Sequence, residues 1–195
     1  MHKTSTLVCL TLLSINISLA QQDEHAQHAY QTKMEAFASR TGTITKFIDF
    51  KLSSIKLFLG EPAQTRIRKV ISGDESKYFY LVERQDKADI NSASIEYEDL
   101  LEAMKALAAL KGEAVKDVYS KPDYVENKFI TDDGFQFGYY VAEGKSKWYL
   151  KFESGPDNTF FIDDAQTIEN SFNEARKKIE EIKNESTRDP LIAKE

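Results

Sequence analysis

The side chains that matter to chemistry in this 195-residue sequence fall into a few groups. His25 and His28 lie three apart beside Asp23 and Glu24. On one helical face they would offer two nitrogen ligands to a transition metal. No third ligand stands nearby and a solvated chain start accounts for them, so no metal is expected. Asp132-Asp133 and Asp163-Asp164 are carboxylate pairs, the equipment that glycosidic hydrolysis uses. The first pair runs into Gly134 as a turn sequence, and the second precedes a helical stretch, so both already have work as turn and cap. Tyr140, Tyr149, Lys147 and Lys151 occupy the outward positions of two neighbouring strands. A tyrosine ring there can stack on a sugar or a base, and a lysine can steer an acidic group. These four form the candidate ligand-binding site, although Tyr and Lys are also ordinary occupants of a solvated sheet face.

Other chemistry is excluded by what is missing. Cys9 is the only cysteine, and of the three histidines none falls in a stretch patterned for a core, so a Cys–His or Ser–His nucleophilic centre is not expected. Asp157-Asn158 lacks the remaining positions of a calcium loop. No glycine-rich phosphate loop is present. No cofactor is expected and the chain reads as a non-enzyme.

The elements that must position the candidate face run from Phe129 to Ile182. Phe135, Phe137, Tyr139 and Val141 alternate with smaller or polar residues, as do Trp148, Leu150 and Phe152. Period two predicts half-buried strands, joined by a turn at Glu143-Gly144. Gly155-Pro156-Asp157-Asn158 breaks the chain, Thr159 to Ile162 gives another strand, and Asp163-Asp164 caps a helix. Ile168, Phe172, Ala175, Ile179 and Ile182 make one apolar stripe on that helix.

The first twenty residues read as a secretory signal: Lys3, an apolar run from Leu7 to Leu19, and a small-x-small cleavage site ending at Ala20. A mature chain beginning at Gln21 keeps 25 basic and 32 acidic residues, a net of −7. It would hold no cysteine and must fold on its core alone. That charge weighs against nucleic acid or anionic membranes as partners, and no membrane span is expected once the signal is removed. Periplasmic or extracellular localisation follows from the same reading. Tyr30, Met34 and Phe37 form a short helical stripe within 21–42, ended by Thr41-Gly42. Tyr78 to Val82 is apolar or aromatic at every position, which predicts a strand covered on both faces; the N-terminal helix is the expected cover. Ala93 to Tyr97 is a strand, Glu98-Asp99 opens a helix through Ala103, Leu107, Leu110 and Ala114, and Lys121-Pro122-Asp123 divides the halves.

The halves repeat. At a shift of seventy, Ser76-Lys77-Tyr78 falls on Ser146-Lys147-Trp148, and Tyr80, Val82 and Glu83 fall on Leu150, Phe152 and Glu153. At a shift of sixty-five, Ile95 falls on Phe160, and Ala103, Leu107, Leu110 and Ala114 fall on Ile168, Phe172, Ala175 and Ile179. The expected fold is α+β, with two tandem β-β-β-β-α units of antiparallel sheet and an N-terminal helix. The expected division is 1–20 signal, 21–42 helix, 43–121 first unit, 122–184 second unit and 185–195 flexible tail. Two such units would bury each other's sheet edges.

Doubled in tandem, a four-strand meander followed by a helix resembles PUR repeats and Whirly-type single-strand nucleic-acid binders. The resemblance spans most of Thr43 to Ile182 and rests on topology. It implies a sheet face carrying aromatic and basic residues: Tyr140, Tyr149, Lys147 and Lys151, with Arg66, Arg68 and Lys69 in the first half. Shared fold does not carry function. The expected function is therefore an exported binding or interaction module for an unidentified protein or small ligand. Single-stranded nucleic-acid binding and a carboxylate-based hydrolase stand as alternatives.

Overall fold

A computed structural model describes residues 31–86, 89–153 and 158–188. The expected signal, Cys9, the His25/His28 pair, most of the Gly155-Pro156-Asp157-Asn158 breaker and the end of the chain from residue 189 lie outside the described residues. The order is α1 (Lys33–Ala38), β1 (Thr45–Lys51), β2 (Gln64–Ser72), β3 (Glu75–Asp86), β4 (Asp89–Glu96), α2 (Tyr97–Ser120), β5 (Val125–Ile130), β6 (Gln136–Ala142), β7 (Lys145–Lys151), β8 (Thr159–Ile162) and α3 (Ala165–Arg188). Each half is thus an antiparallel four-stranded meander followed by a helix, with orders β1-β2-β3-β4 and β5-β6-β7-β8. Helix α3 runs on to Arg188, so the stretch expected to begin a loose tail at 185 is helical at its start.

Register repeats as well as order. Ile71 faces Ser76 across the first hairpin and Val141 faces Ser146 across the second. Tyr80 faces Ile95, and Leu150 faces Phe160. The change from a shift of seventy to sixty-five therefore falls in the loop before the last strand of each sheet. The hairpin turns differ in detail: Gly73 takes positive φ in the first, while both Glu143 (54°) and Gly144 (72°) do so in the second. Two positive φ values suit the right-handed twist of the flanking strands.

Both halves share one interior. Ile67, Tyr80 and Ile95 of the first sheet join Phe137, Tyr139 and Leu150 of the second in a single buried cluster with Leu107 of α2 and Ile168 and Phe172 of α3. The helices are partly exchanged between the sheets. Helix α2 lies against β5, β6 and β7 as well as β3 and β4, and α3 reaches β2. Phe172 stands between the sheets, edge-on to Tyr80 at 6.1 Å and to Phe137 at 5.4 Å. Tyr80 bonds Ser171 through its hydroxyl at 2.6 Å, which satisfies a buried polar group.

The second face of the first sheet has its own small core. Phe37 of α1 packs with Val70, Phe79 and Leu81. The run of apolar residues in β3 is therefore covered on both sides, by α1 on one and by the shared interior on the other. Helix α1 is short and is held mainly by its caps and anchors: Thr32 and Glu35 form a capping box, which satisfies orphan N–H groups. Ile44 lies just before β1 and is exposed.

Candidate ligand-binding face

The outer surface of the second sheet is built by alternation. Because Phe137, Tyr139, Trp148 and Leu150 turn inward, their neighbours Tyr140, Lys147, Tyr149 and Lys151 must turn outward. Phe161 joins them from β8, opposite Tyr149, and Tyr124 from the residue before β5. The tyrosines are not equivalent. Tyr140 is half-buried, stacked on Tyr124 at 6.1 Å and edge-on to Phe161 at 6.0 Å. The Lys147 ammonium lies 5.8 Å from its ring centre, a cation–π contact.

Tyr149 is only 6 % exposed. Its hydroxyl donates to Glu126 at 2.6 Å, so the side chain crosses β6 to reach β5. Gly138 stands opposite Tyr149 in β6 and leaves that path clear. A Cβ on Gly138 would fall 2.2 Å from the Asn127 carbonyl oxygen, so this position admits no side chain without a backbone shift. The Tyr149 hydroxyl, with that of Tyr124, holds the Glu126 carboxyl below its ordinary value, while burial and the Glu126 charge push the Tyr149 phenol up. Tyr149 is a structural strut of the face rather than a free ring.

Beside Tyr140 the surface opens into a cleft of about 370 Å³ between β8 and the β1–β2 connection. Phe161 is 43 % exposed, Phe58 64 % and Leu59 76 %, and all three line it. The Phe58 N–H donates to the Phe161 carbonyl at 2.8 Å, which fixes the connection against the edge of β8. Lys128, Lys145, Lys147 and Lys151 form no ion pair within 4 Å among the described residues. The face is thus aromatic and positive on a chain that is acidic as a whole.

The first sheet has no such face. Arg66 makes a double hydrogen bond to Glu83, and Arg68 pairs both oxygens of Asp49 at 2.7 Å. Lys69, expected to point outward, points inward: it is buried and donates to Ser186 of α3 at 3.1 Å. Its position next to Arg68 on a pleated strand requires the opposite side.

The carboxylates also find structural partners. Lys33 donates its backbone N–H to Asp133 at 3.0 Å and its ammonium to Asp99 at 2.7 Å, with Asp132 at 2.9 Å. Burial works against the Lys33 ammonium, yet the hydrogen bonds to Asp99 and Asp132 outweigh it and raise its pKa. Burial pushes Asp133 up against the pull of the Lys33 N–H. Glu153 is pushed up to about 7 by burial, with Asp133 and Glu35 adding to the effect, and it accepts the Ser94 N–H at 3.2 Å. Asp99, Asp132 and Asp133 clasp α1 across the two halves; sequence spacing marked them only as helix-start and turn residues, and Glu153, which bonds Ser94, belongs to no motif. Asp164, by contrast, caps α3 as expected, accepting the Thr167 N–H at 2.9 Å.

The architecture defines a tandem-repeat α+β protein with one covered and one open sheet face. No family model, curated protein or solved structure matches the chain.

Proposed function

We propose that this chain is a non-enzymatic binding module, working in the periplasm or outside the cell, that takes its partner on the outer face of the second sheet. The observation that carries the reading is the contrast between the faces. Arg66 and Arg68 of the first sheet are neutralised within the fold, whereas Phe161 is exposed, Tyr140 is half-buried at the edge of the cleft, and Lys145, Lys147 and Lys151 of the second sheet form no ion pair among the described residues. Unpaired lysines around exposed rings suit a ligand that combines negative charge with apolar or planar groups. Asp132 and Asp133 are engaged by Lys33, and Asp164 caps α3 while its neighbour Asp163 lines the cleft, so neither pair turns both carboxylates on one opening, which favours binding over hydrolysis.

Chemical-shift mapping of the uniformly ¹⁵N-labelled full chain tests this. The probes are oligo(dT), poly-L-glutamate and chito-oligosaccharide. Saturable shifts centred on Tyr140, Lys147 and Phe161 are expected with at least one of the probes. Shifts confined to other surfaces, or none, would overturn it. The alternative, single-stranded nucleic-acid binding, draws on the same rings and lysines. It requires that oligo(dT) bind and that its affinity fall steeply with salt.

A further inference from the structure

The internal repeat identifies what kind of partner fits the open face, an inference that rests on the reading above. Register fixes which positions correspond. Val70, Phe79 and Leu81, the floor on which Phe37 of α1 sits, correspond at a shift of seventy to Tyr140, Tyr149 and Lys151. Phe79 faces Glu96, and Tyr149 faces Phe161, so Glu96 corresponds to Phe161. Lys77 lies 5.5 Å from the Phe37 ring centre, and its counterpart is Lys147. The candidate face is therefore the second copy of a helix-docking floor, and in the first copy a helix occupies it.

The charges around the two floors differ, with a reversal of sign where Arg40 sits. Helix α1 presents Arg40 to Glu75 at 2.8 Å, and Lys33 to Asp99 at 2.7 Å with Glu96 at 4.0 Å. In the second copy Glu75 is replaced by Lys145, Glu96 by Phe161 and the apolar Leu81 by Lys151. A helix with the charges of α1, including that of a second copy of this chain, would meet Lys145 where Arg40 meets Glu75, and Lys147 and Lys151 beside it, while Asp99 keeps an acidic counterpart in Asp164. The complementary occupant carries an acid at the position of Arg40, no second base toward Lys147 and Lys151, and keeps the aromatic anchor, for which the cleft beside Tyr140 and Phe161 is open. We propose that the outer face of the second sheet docks an acidic amphipathic helix of a partner protein, anchored by one aromatic side chain in that cleft.

The test uses hydrocarbon-stapled peptides that copy residues 31–41, titrated into the ¹⁵N-labelled full chain. One, the acidic peptide, carries Arg40→Glu to meet Lys145 and Lys33→Gln to remove the remaining basic charge. A second adds Phe37→Ala to these, and a third keeps the native sequence. The acidic peptide is expected to give saturable shifts at Tyr140, Lys147 and Phe161. It should bind at least about tenfold more tightly than the ring-less or native-charge peptide, and Lys147→Glu in the protein should weaken it by a similar factor, as expected for one anchor or one close charge. Equal binding of the ring-less peptide, shifts at Phe79 and Leu81 instead, or no saturation at millimolar peptide would overturn the proposal. If oligo(dT) or poly-L-glutamate binds this face while the acidic peptide does not, the helix proposal fails and the binding face stands. If no probe binds, both fail.

Discussion

Replacing Phe172 by Ala is the sharpest perturbation of the shared interior. Phe172 is 1 % exposed and touches Tyr80 of one sheet and Phe137 of the other edge-on. Its removal leaves a hole walled by two sheets and by its own helix, none of which can close on it freely. Core Phe→Ala changes cost about 3–5 kcal/mol, and a poorly collapsible site belongs in the upper half, at about 4 kcal/mol. For a chain of this size that lowers Tm by roughly 8–16 °C. Urea unfolding followed in parallel by circular dichroism and by the fluorescence of Trp148, the sole tryptophan, reads both halves. Because Trp148 lies in the second sheet and is buried, independent halves would give different midpoints with the two probes. The expected result is one coincident transition, displaced as a unit. A loss under about 1 kcal/mol, below the usual range for such a site, or separation of the two probes, would refute a common core.

Further expectations concern single positions. In Glu153 the folded carboxyl titrates at about 7 against an ordinary 4.5, so the folded state binds its proton more tightly than the unfolded state does. The cost of ionising it is absent below pH 4.5, grows between 4.5 and 7 and is complete above. Glu153→Gln should therefore flatten a fall in stability across that window; the full shift corresponds to about 3 kcal/mol, discounted to about 1–2 for partial solvation. Thermal unfolding at pH 4.5 and pH 8 measures it, and a benefit equal at both pH values would contradict the assignment. Gly138→Ala should destabilise by about 1–3 kcal/mol, since its Cβ meets the Asn127 carbonyl at 2.2 Å; a neutral outcome in denaturant titration would mean that β5 and β6 are not so close.

Much of this architecture was legible because single patterns repeat. The alternations of β6 and β7, the five-spot stripe of α3 and its Asp164 cap survive in the structure, and the matched registers bear out the duplication. Glu98 and Asp99, by contrast, lie inside the first turn of α2, and Asp99 holds Lys33 instead of capping. Strand β5 was harder to see, because its inward middle residue is polar. Asn127 is satisfied by Tyr139 and Asp117 and so breaks the apolar rhythm without breaking the strand. The candidate face was legible as a row but not as an environment. Alternation puts Tyr149 outward, yet only the path over Gly138 to Glu126 buries it. The neutralisation of Arg66 and Arg68 depends on Glu83 and Asp49, one strand away on either side, which pairing alone brings near. Phe58 and Leu59 carry no local signal, and tertiary placement of the β1–β2 connection brings them to the cleft.

The covered and open faces can be compared at matched positions by thiol labelling. Cys9 is the only native cysteine, so Leu81→Cys and its counterpart Lys151→Cys in a Cys9→Ser background isolate one site each. Leu81 is 3 % exposed beneath Phe37, and its thiol should react at least about tenfold more slowly than that at 151, because reaction must await local opening of α1. Adding Phe37→Ala should accelerate the Leu81→Cys reaction and leave the other unchanged. Equal rates at the two sites, or protection at 151, would contradict the account.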